Sequence, residues 1–234
     1  MKIGLISDVH GNIAALKKCY NYLDKQKVNK VYFLGDVVGY LPYGYECFDY
    51  LKERNVTCLQ GNHEQMLLGD IGVTSKSDLV YQMEQTKLSF SEESLTLIRK
   101  WPKKIELDIN DLKVLLVHGS PFEETTGYLY PDSDLRLLGD LNYDYIFCGH
   151  THRPFFKKIK NTTVVNIGAV GMPRDIGDLS SFTIFDTGKK SFDIIRIRMD
   201  KDEISSLIAN QFVHHSVKSL FERQNDLYIG DLVD

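Results

Sequence analysis

The sequence predicts an α/β fold built on two β-sheets, and three observations carry that prediction. The apolar runs "KIGLIS", "KVYFLG", "VTCLQG", "KVLLVHG" and "DYIFCGH" are short, rich in Val, Ile, Leu and Phe, and several give way to Gly or Asp. They lack polar alternation, as strands buried on both faces do. Between the first three, "IAALKKCYNYL" and "YECFDYL" place apolar residues at helical spacing, so the chain opens β-α-β-α-β with parallel strands. From Pro154 onward the pattern changes to "PFFKKIK", "TTVVNIG", "SSFTIFD" and "SFDIIRIR", the last two joined as a hairpin by "TGKK". These strands imply the second sheet.

In chain order, the first helix lies within residues 12–27 with Asn12 as its cap, and the second within 43–54. The segment from His63 to Lys100 reads as mostly helical, with Ser91 capping "EESLTLIRK", and is expected to form a lid or flank. Asp200 to Arg223 reads as one amphipathic helix through Ile204, Leu207, Ile208 and Phe212, followed by a tail. The expected organisation is one domain over residues 1–200, with the helix and tail of 201–234 packed on it or extending from it.

At 234 residues, with 43% hydrophobic and 26% charged residues, the chain is long enough to bury an ordinary core. A formal net charge of −4 argues against a large polyanion-binding surface, so nucleic acid is not the expected partner. The opening "MKIGLISDVHG" reaches Asp8 too soon for a signal-peptide core or a membrane span, and the expected location is cytoplasmic. Cys19, Cys47, Cys58 and Cys148 show no paired spacing and sit in apolar surroundings, as buried free thiols do.

Ligands of open parallel sheets sit outside the carboxyl ends of the strands. The residues that follow the five apolar runs are Asp8 and His10, Asp36, Asn62 and His63, His118, and His150 and His152. Taken singly, each is an ordinary cap, turn or satisfied polar residue. Together they are hard to explain by turn chemistry, which uses Gly, Pro and Ser as readily as imidazole. On an extended backbone, Asp-x-His and His-x-His turn both side chains to one face, where they reach neighbouring coordination positions. The donors exceed what one small ion takes and suit two ions sharing a carboxylate. Imidazole and carboxylate without thiolate favour Mn, Fe, Zn, Co or Ni over Ca or Mg.

In order, "DVHGN", "GDVVG", "GNHE", "HGS" and "GHTH" resemble the motif series of the calcineurin-like metallophosphoesterases, over roughly residues 2–186. "NIGAVGMPRD", Asn166 to Asp175, is similar to the small prokaryotic phosphodiesterase branch of that family. The resemblance implies a four-layer α/β/β/α sandwich of two mixed β-sheets flanked by helices. It implies that Asp8, His10 and His152 hold one divalent transition ion and Asn62, His118 and His150 a second, with Asp36 bridging; Mn, Fe and Zn are the candidates. His63 stands outside the metal shell and assists the leaving oxygen or the transition state, while Gly35, Gly61, Gly149 and Gly168 allow close backbone turns.

The implied reaction is hydrolysis of a phosphodiester or phosphomonoester by a metal-bridging hydroxide, without a phosphoenzyme. Small phosphoesters or nucleotides are the expected substrates, and self-association is left open. Arg174 and Arg153 are candidates for gripping substrate phosphate, and Tyr40, Tyr43, Tyr45, Phe122, Tyr128 and Tyr130 for a stacking wall. Ser7 and Ser120 read as hydrogen-bonding support, and His214 and His215 as a solvated pair. A nuclease would call for a more basic face. A scaffold of the same fold with a decayed site would not need all eight donors. The stretch "GDVVGY" departs from the protein-phosphatase branch, where Gly-Asp-x-x-Asp-Arg supplies a carboxylate to orient the outer histidine and an Arg for phosphate. Gly39 and Tyr40 stand there instead, and the second Arg that the small branch would place near Leu179 or Ser180 is absent.

Overall fold

The computed structural model describes residues 1–225 and 227–233. The chain runs β1 (Lys2–Ile6), α1 (Ile13–Lys25), β2 (Lys30–Phe33), α2 (Gly44–Glu53), β3 (Thr57–Cys58), then α3 (Asn62–Leu68), α4 (Ser75–Tyr81), α5 (Met83–Lys87) and α6 (Glu92–Arg99). It continues through β4 (Lys104–Ile109), β5 (Leu112–Val117), a 3-10 turn at Arg136–Asp140, β6 (Tyr145–Cys148), β7 (Phe155–Ile159) and β8 (Thr162–Asn166). Last come β9 (Leu179–Asp186), β10 (Ser191–Arg198), α7 (Lys201–Ile208), α8 (His215–Lys218) and β11 (Asp231–Val233).

Two mixed sheets stack face to face. The first has the order β11-β10-β9-β1-β2-β3 and the second β4-β5-β6-β8-β7. The five motif-bearing runs therefore do not share a sheet: β1, β2 and β3 lie in the first, β5 and β6 in the second. Nor do the later strands form a sheet of their own, since β7 and β8 join the second while the β9–β10 hairpin lies antiparallel beside β1.

The core explains why the apolar runs could not reveal this. Along β1, Ile3 and Leu5 enter the layer between the sheets while Ile6 faces the helices; along β5, Val114 and Leu116 enter that layer while Leu115 and Val117 face outward. Both faces of β1 and of β5 are apolar, so sheet membership leaves no trace in their pattern. Helices α1, α2 and α6 cover the first sheet, through Leu16, Leu23, Phe48, Leu51 and Ile98. The outer face of the second is covered by Leu129, Leu135 and Leu138 from the segment around the 3-10 turn.

Asn12 and Ser91 cap their helices as expected, accepting from the Ala15 and Ser94 N–H groups. The single helix expected over Asp200–Arg223 is instead α7 and α8. Asn210 breaks it, because its side chain accepts the Phe212 N–H in place of a helical carbonyl. Phe212 is left half exposed, and His214 becomes the cap of α8. Part of the expected tail pairs with the first sheet, as β11 runs parallel to β10. Strand β4 was not singled out in the sequence; it is a half-buried edge strand, antiparallel to β5. All four cysteines are free and buried, and among the described residues no helix is long and apolar enough to cross a membrane.

Leu5 is fully buried between the sheets. Leu5→Ala is expected to lower the unfolding free energy by about 2–5 kcal/mol in a denaturant titration, with secondary structure retained in the folded baseline.

Candidate metal centre

The loops leaving β1, β2, β3, β5 and β6 converge at one end of the sandwich. Asp8 N–H donates to the Gly35 carbonyl and His10 N–H to that of Asp36, both at 3.0 Å, so the first two loops are zipped together. The His118 carbonyl accepts the Gly149 N–H at 2.9 Å, which joins the loops of the second sheet. The backbone there is not extended, contrary to the spacing argument for Asp-x-His and His-x-His. Asp8, His10, Asp36, His150 and His152 have φ of +55°, +49°, +65°, +65° and +58°. Left-handed conformations at non-glycine residues cost roughly 1–3 kcal/mol each and persist only where the surroundings enforce them. Side chains two apart still converge, but through a sharp turn rather than a pleat.

Asp8, His10 and His152 form one group of donors and Asp36, His118 and His150 another, and a third, His10, Asp36 and His63, overlaps both. In the first, His10 Nε2 lies 3.1 Å from His152 Nε2, and His152 Nε2 lies 3.2 Å from Asp8 Oδ1. In the second, His118 Nε2 lies 3.2 Å from both Asn62 Oδ1 and His150 Nδ1. Asp36 Oδ2 faces both groups, 3.6 Å from His10 Nε2 and 3.3 Å from His118 Nε2.

The opposite ring nitrogens fix the tautomers. Nδ1 of His10, His118 and His152 each meets a backbone carbonyl, of Val38 at 3.0 Å, Leu34 at 2.9 Å and Met172 at 2.6 Å. A carbonyl only accepts, so each Nδ1 carries the hydrogen and each ring, once neutral, turns the Nε2 lone pair inward; without metal, His118 carries a second proton on Nε2, facing Asp36 Oδ2. His10 and His152 thus face each other lone pair to lone pair, a repulsive contact that a cation between them converts into attraction. The carboxylates are aimed in the same way. Asp8 Oδ2 accepts the His150 N–H at 3.0 Å and Asp36 Oδ1 the His63 N–H at 2.9 Å, leaving the other oxygen of each toward the imidazoles. Asp8 Oδ1 and His150 Nε2 are buried without a hydrogen-bond partner among the described residues. The oxygen and imidazole donors, pre-oriented and turned inward, fit divalent transition ions.

Residues 1–190 match the calcineurin-like phosphoesterase superfamily domain. The chain belongs to this superfamily. It is 30% identical to an uncharacterized protein of Methanocaldococcus jannaschii, over 94% of this chain and 97% of that one. A phosphodiesterase of the same organism is 24% identical, over 82% and 96%. The crystal structure of a metallophosphoesterase from Sphaerobacter thermophilus superposes with a TM-score of 0.78 at 24% identity, covering 95% of this chain and 98% of that one, and shares the fold.

His63, beside Asp36, is set differently from the other imidazoles. His63 Nε2 lies 4.0 Å from Asp36 Oδ2, while its Nδ1 is buried without a partner among the described residues. Gly39 has φ +91°, and a Cβ there would run into the His63 ring and Met83, so no side chain at position 39 could orient the imidazole. Packing does so instead: the rings of Tyr40 and Tyr81 lie 4.9 and 5.1 Å from that of His63. Burial holds the His63 pKa down to about 4 despite Asp36, so the ring is neutral near pH 7. Burial also opposes charge on His118, but Asp36 prevails and raises it to about 9.

Glu64 is a site residue that sequence reasoning passed over, although "GNHE" displays it. Fully buried, it accepts the N–H groups of Asp36, Val37 and Gly61 at 2.7, 2.7 and 2.6 Å and so ties the β2 and β3 loops together. Arg174 and Arg153 both line a cavity of about 600 Å³ beside the donor groups, with Tyr40, Tyr81 and Tyr130. Arg174 Nη2 is 3.5 Å from the Tyr40 hydroxyl. Of the other expected stacking residues, Tyr128 lies against His150 with ring centroids 4.1 Å apart, whereas Tyr45 packs on Phe48 and Phe90 in the helical core. Tyr43 precedes α2 and Phe122 is exposed, and neither lines the cavity. Ser7 and Ser120 make local hydrogen bonds, to the Gly35 carbonyl and from the Glu123 N–H. His214 and His215 pack on each other with ring centroids 4.1 Å apart, and neither belongs to a donor group.

Two outcomes are expected. Glu64→Ala, which leaves three backbone N–H groups without their acceptor, should destabilise the protein by at least about 1–3 kcal/mol and weaken metal retention on dialysis. His118 is protonated at pH 7 in the metal-free protein, because its pKa lies above that pH. Metal loading at pH 7 should therefore release about one proton, seen as a dependence of the calorimetric heat on the buffer, and this release should vanish above about pH 9.

Proposed function

We propose that this chain is a binuclear metal-dependent phosphoesterase that hydrolyses a small phosphodiester or phosphomonoester. The observation that carries the proposal is the place of Asp36 Oδ2, 3.6 Å from His10 Nε2 in one donor group and 3.3 Å from His118 Nε2 in the other. In this reading Asp8, His10 and His152 hold one ion and Asn62, His118 and His150 the other, with Asp36 between them. When bound, two divalent transition ions, Mn, Fe or Zn, supply Lewis-acid polarisation of the phosphoryl group and a water whose pKa is lowered to ~7.

The chain's own residues do the rest. Burial and the fixed tautomers keep the ligand nitrogens aimed without reorganisation. The neutral His63 presents Nε2 beside Asp36, where it can hydrogen-bond a phosphoryl or leaving-group oxygen rather than act as a strong acid. Arg174 and Arg153, which line the cavity beside the donor groups, grip substrate phosphate through charge-assisted hydrogen bonds. A cavity of this size suits a small ester better than duplex nucleic acid. The similar archaeal protein named a phosphodiesterase supports diester cleavage as the first activity to assay.

The test is hydrolysis of bis(p-nitrophenyl) phosphate and p-nitrophenyl phosphate by protein stripped with chelator and reloaded with Mn, Fe or Zn. Activity is expected only after reloading. Asp36→Asn is expected to lose on the order of 100-fold or more together with bound metal, because a shared ligand matters at least as much as the groups behind it. Full activity in chelator, or a phosphorylated enzyme trapped during turnover, would discard the mechanism.

A further inference from the structure

Part of the cavity wall comes from outside the matched family domain. That domain ends at residue 190, whereas Ser216, Val217, Leu220 and Arg223 line the cavity together with Arg153 and Arg174. The segment that carries them is docked firmly. Val217 and Phe221 are buried in the core beneath the first sheet. Gly177 N–H donates to the Arg223 carbonyl at 2.8 Å, and Arg223 Nη1 donates to the Arg174 carbonyl at 3.0 Å. A Cβ on Gly177 would overlap the Leu220 carbonyl and the Phe221 backbone, so this docking requires glycine.

The loop bearing Arg174 is held from behind by Arg196. Fully buried, it forms a two-pronged ion pair with Asp175 at 2.6 and 2.9 Å and donates to the Leu179 carbonyl at 2.9 Å. The chain has no arginine at Leu179 or Ser180, where the small branch would place one, and the guanidinium that reaches the Leu179 carbonyl, that of Arg196, is buried. The second half-buried guanidinium at the cavity comes from Arg223 instead.

Charge decides what the cavity accepts. Arg153, Arg174 and Arg223 line it, and no Asp or Glu does among the described residues. The ion-paired arginines, Arg99, Arg136, Arg196 and Arg198, lie elsewhere. Arg174 Nε is also buried without a partner. In the phosphoesterase reading, on which this step rests, two divalent ions against Asp8 and Asp36 leave two positive charges. One phosphodiester and one hydroxide balance these, so three guanidinium groups remain uncompensated in a chain whose net charge is −4.

We infer that the C-terminal segment builds an anion subsite, Arg223 with Arg174 and Arg153, that takes a second phosphate of the substrate. The preferred substrate is then a bisphosphate or oligophosphate ester rather than a simple diester. Arg223 is a specificity-determining residue, and the Gly177 contact positions it.

Metal-stripped protein titrated calorimetrically with inorganic pyrophosphate and with inorganic phosphate tests this without catalysis. Pyrophosphate is expected to bind about tenfold or more tighter than phosphate. Arg223→Gln should weaken pyrophosphate binding by about tenfold, the scale of one lost charge-assisted hydrogen bond, and Arg223→Lys should lose less. Gly177→Val, which lifts the segment without touching a charge, should reproduce the Arg223→Gln loss. In metal-loaded enzyme, adenosine 3′,5′-bisphosphate should inhibit bis(p-nitrophenyl) phosphate hydrolysis more strongly than adenosine 5′-monophosphate, with the ratio collapsing in Arg223→Gln. Equal affinity for phosphate and pyrophosphate, or pyrophosphate binding unchanged in both Arg223→Gln and Gly177→Val, would overturn the subsite. Failure of the loaded enzyme to cleave any ester would overturn the phosphoesterase reading while leaving the calorimetric result to stand on its own.

Discussion

The contact on which the rest of the structure depends is the inward convergence of imidazole lone pairs and carboxylate oxygens around Asp36. His10 and His152 are held 3.1 Å apart with both Nδ1 hydrogens committed to carbonyls. In a cavity-free interior such an arrangement is a net cost, because neither nitrogen can donate and water cannot replace the missing partner. It becomes favourable once positive charge lies among the donors, and metal binding and stability of this region are then the same free energy. The left-handed backbone at five donor residues belongs to the same account: strain in the loops is offset by what the donors gain when charge is present.

Holding that arrangement takes a set of backbone hydrogen bonds around the donors. Glu64 spans two loops by accepting three N–H groups, and the N–H groups of His63 and His150 each pin one carboxylate oxygen. His63 is different in kind. With no room for a carboxylate at position 39, it is steered by the Tyr40 and Tyr81 rings, which keep it dry and neutral. The same tyrosines line the neighbouring cavity, so one aromatic pair touches both His63 and the space that the arginines line.

Much of the donor set was legible in the sequence because each donor follows an apolar run directly, and chain connectivity alone brings a strand's end and its next few residues together. Asp8, His10, Asp36, His118, His150 and His152 needed no knowledge of sheet order. Their backbone conformation was not legible: Asp-x-His reads equally well as a pleat or as a left-handed turn until the neighbouring loop's hydrogen bonds choose. Glu64 was overlooked for a related reason. A buried acid with only backbone partners resembles any helix-start glutamate, and two of its three partners, Asp36 and Val37, lie 28 and 27 residues away.

Local periodicity and motif spacing therefore determined by themselves the α/β class, the parallel opening and the residues at the strand ends. Tertiary structure alone decided which sheet each strand entered, because strands apolar on both faces carry no label for their neighbours. It also decided that Arg196 turns inward while Arg223, from a segment that reads in sequence as the end of a surface helix, comes to face Arg174. Helical spacing predicted that end, but the Asn210 break and the bare backbone of Gly177 redirect the chain. Close approach between segments distant in sequence depends on side chains that are absent as much as on those present, and no local pattern records it.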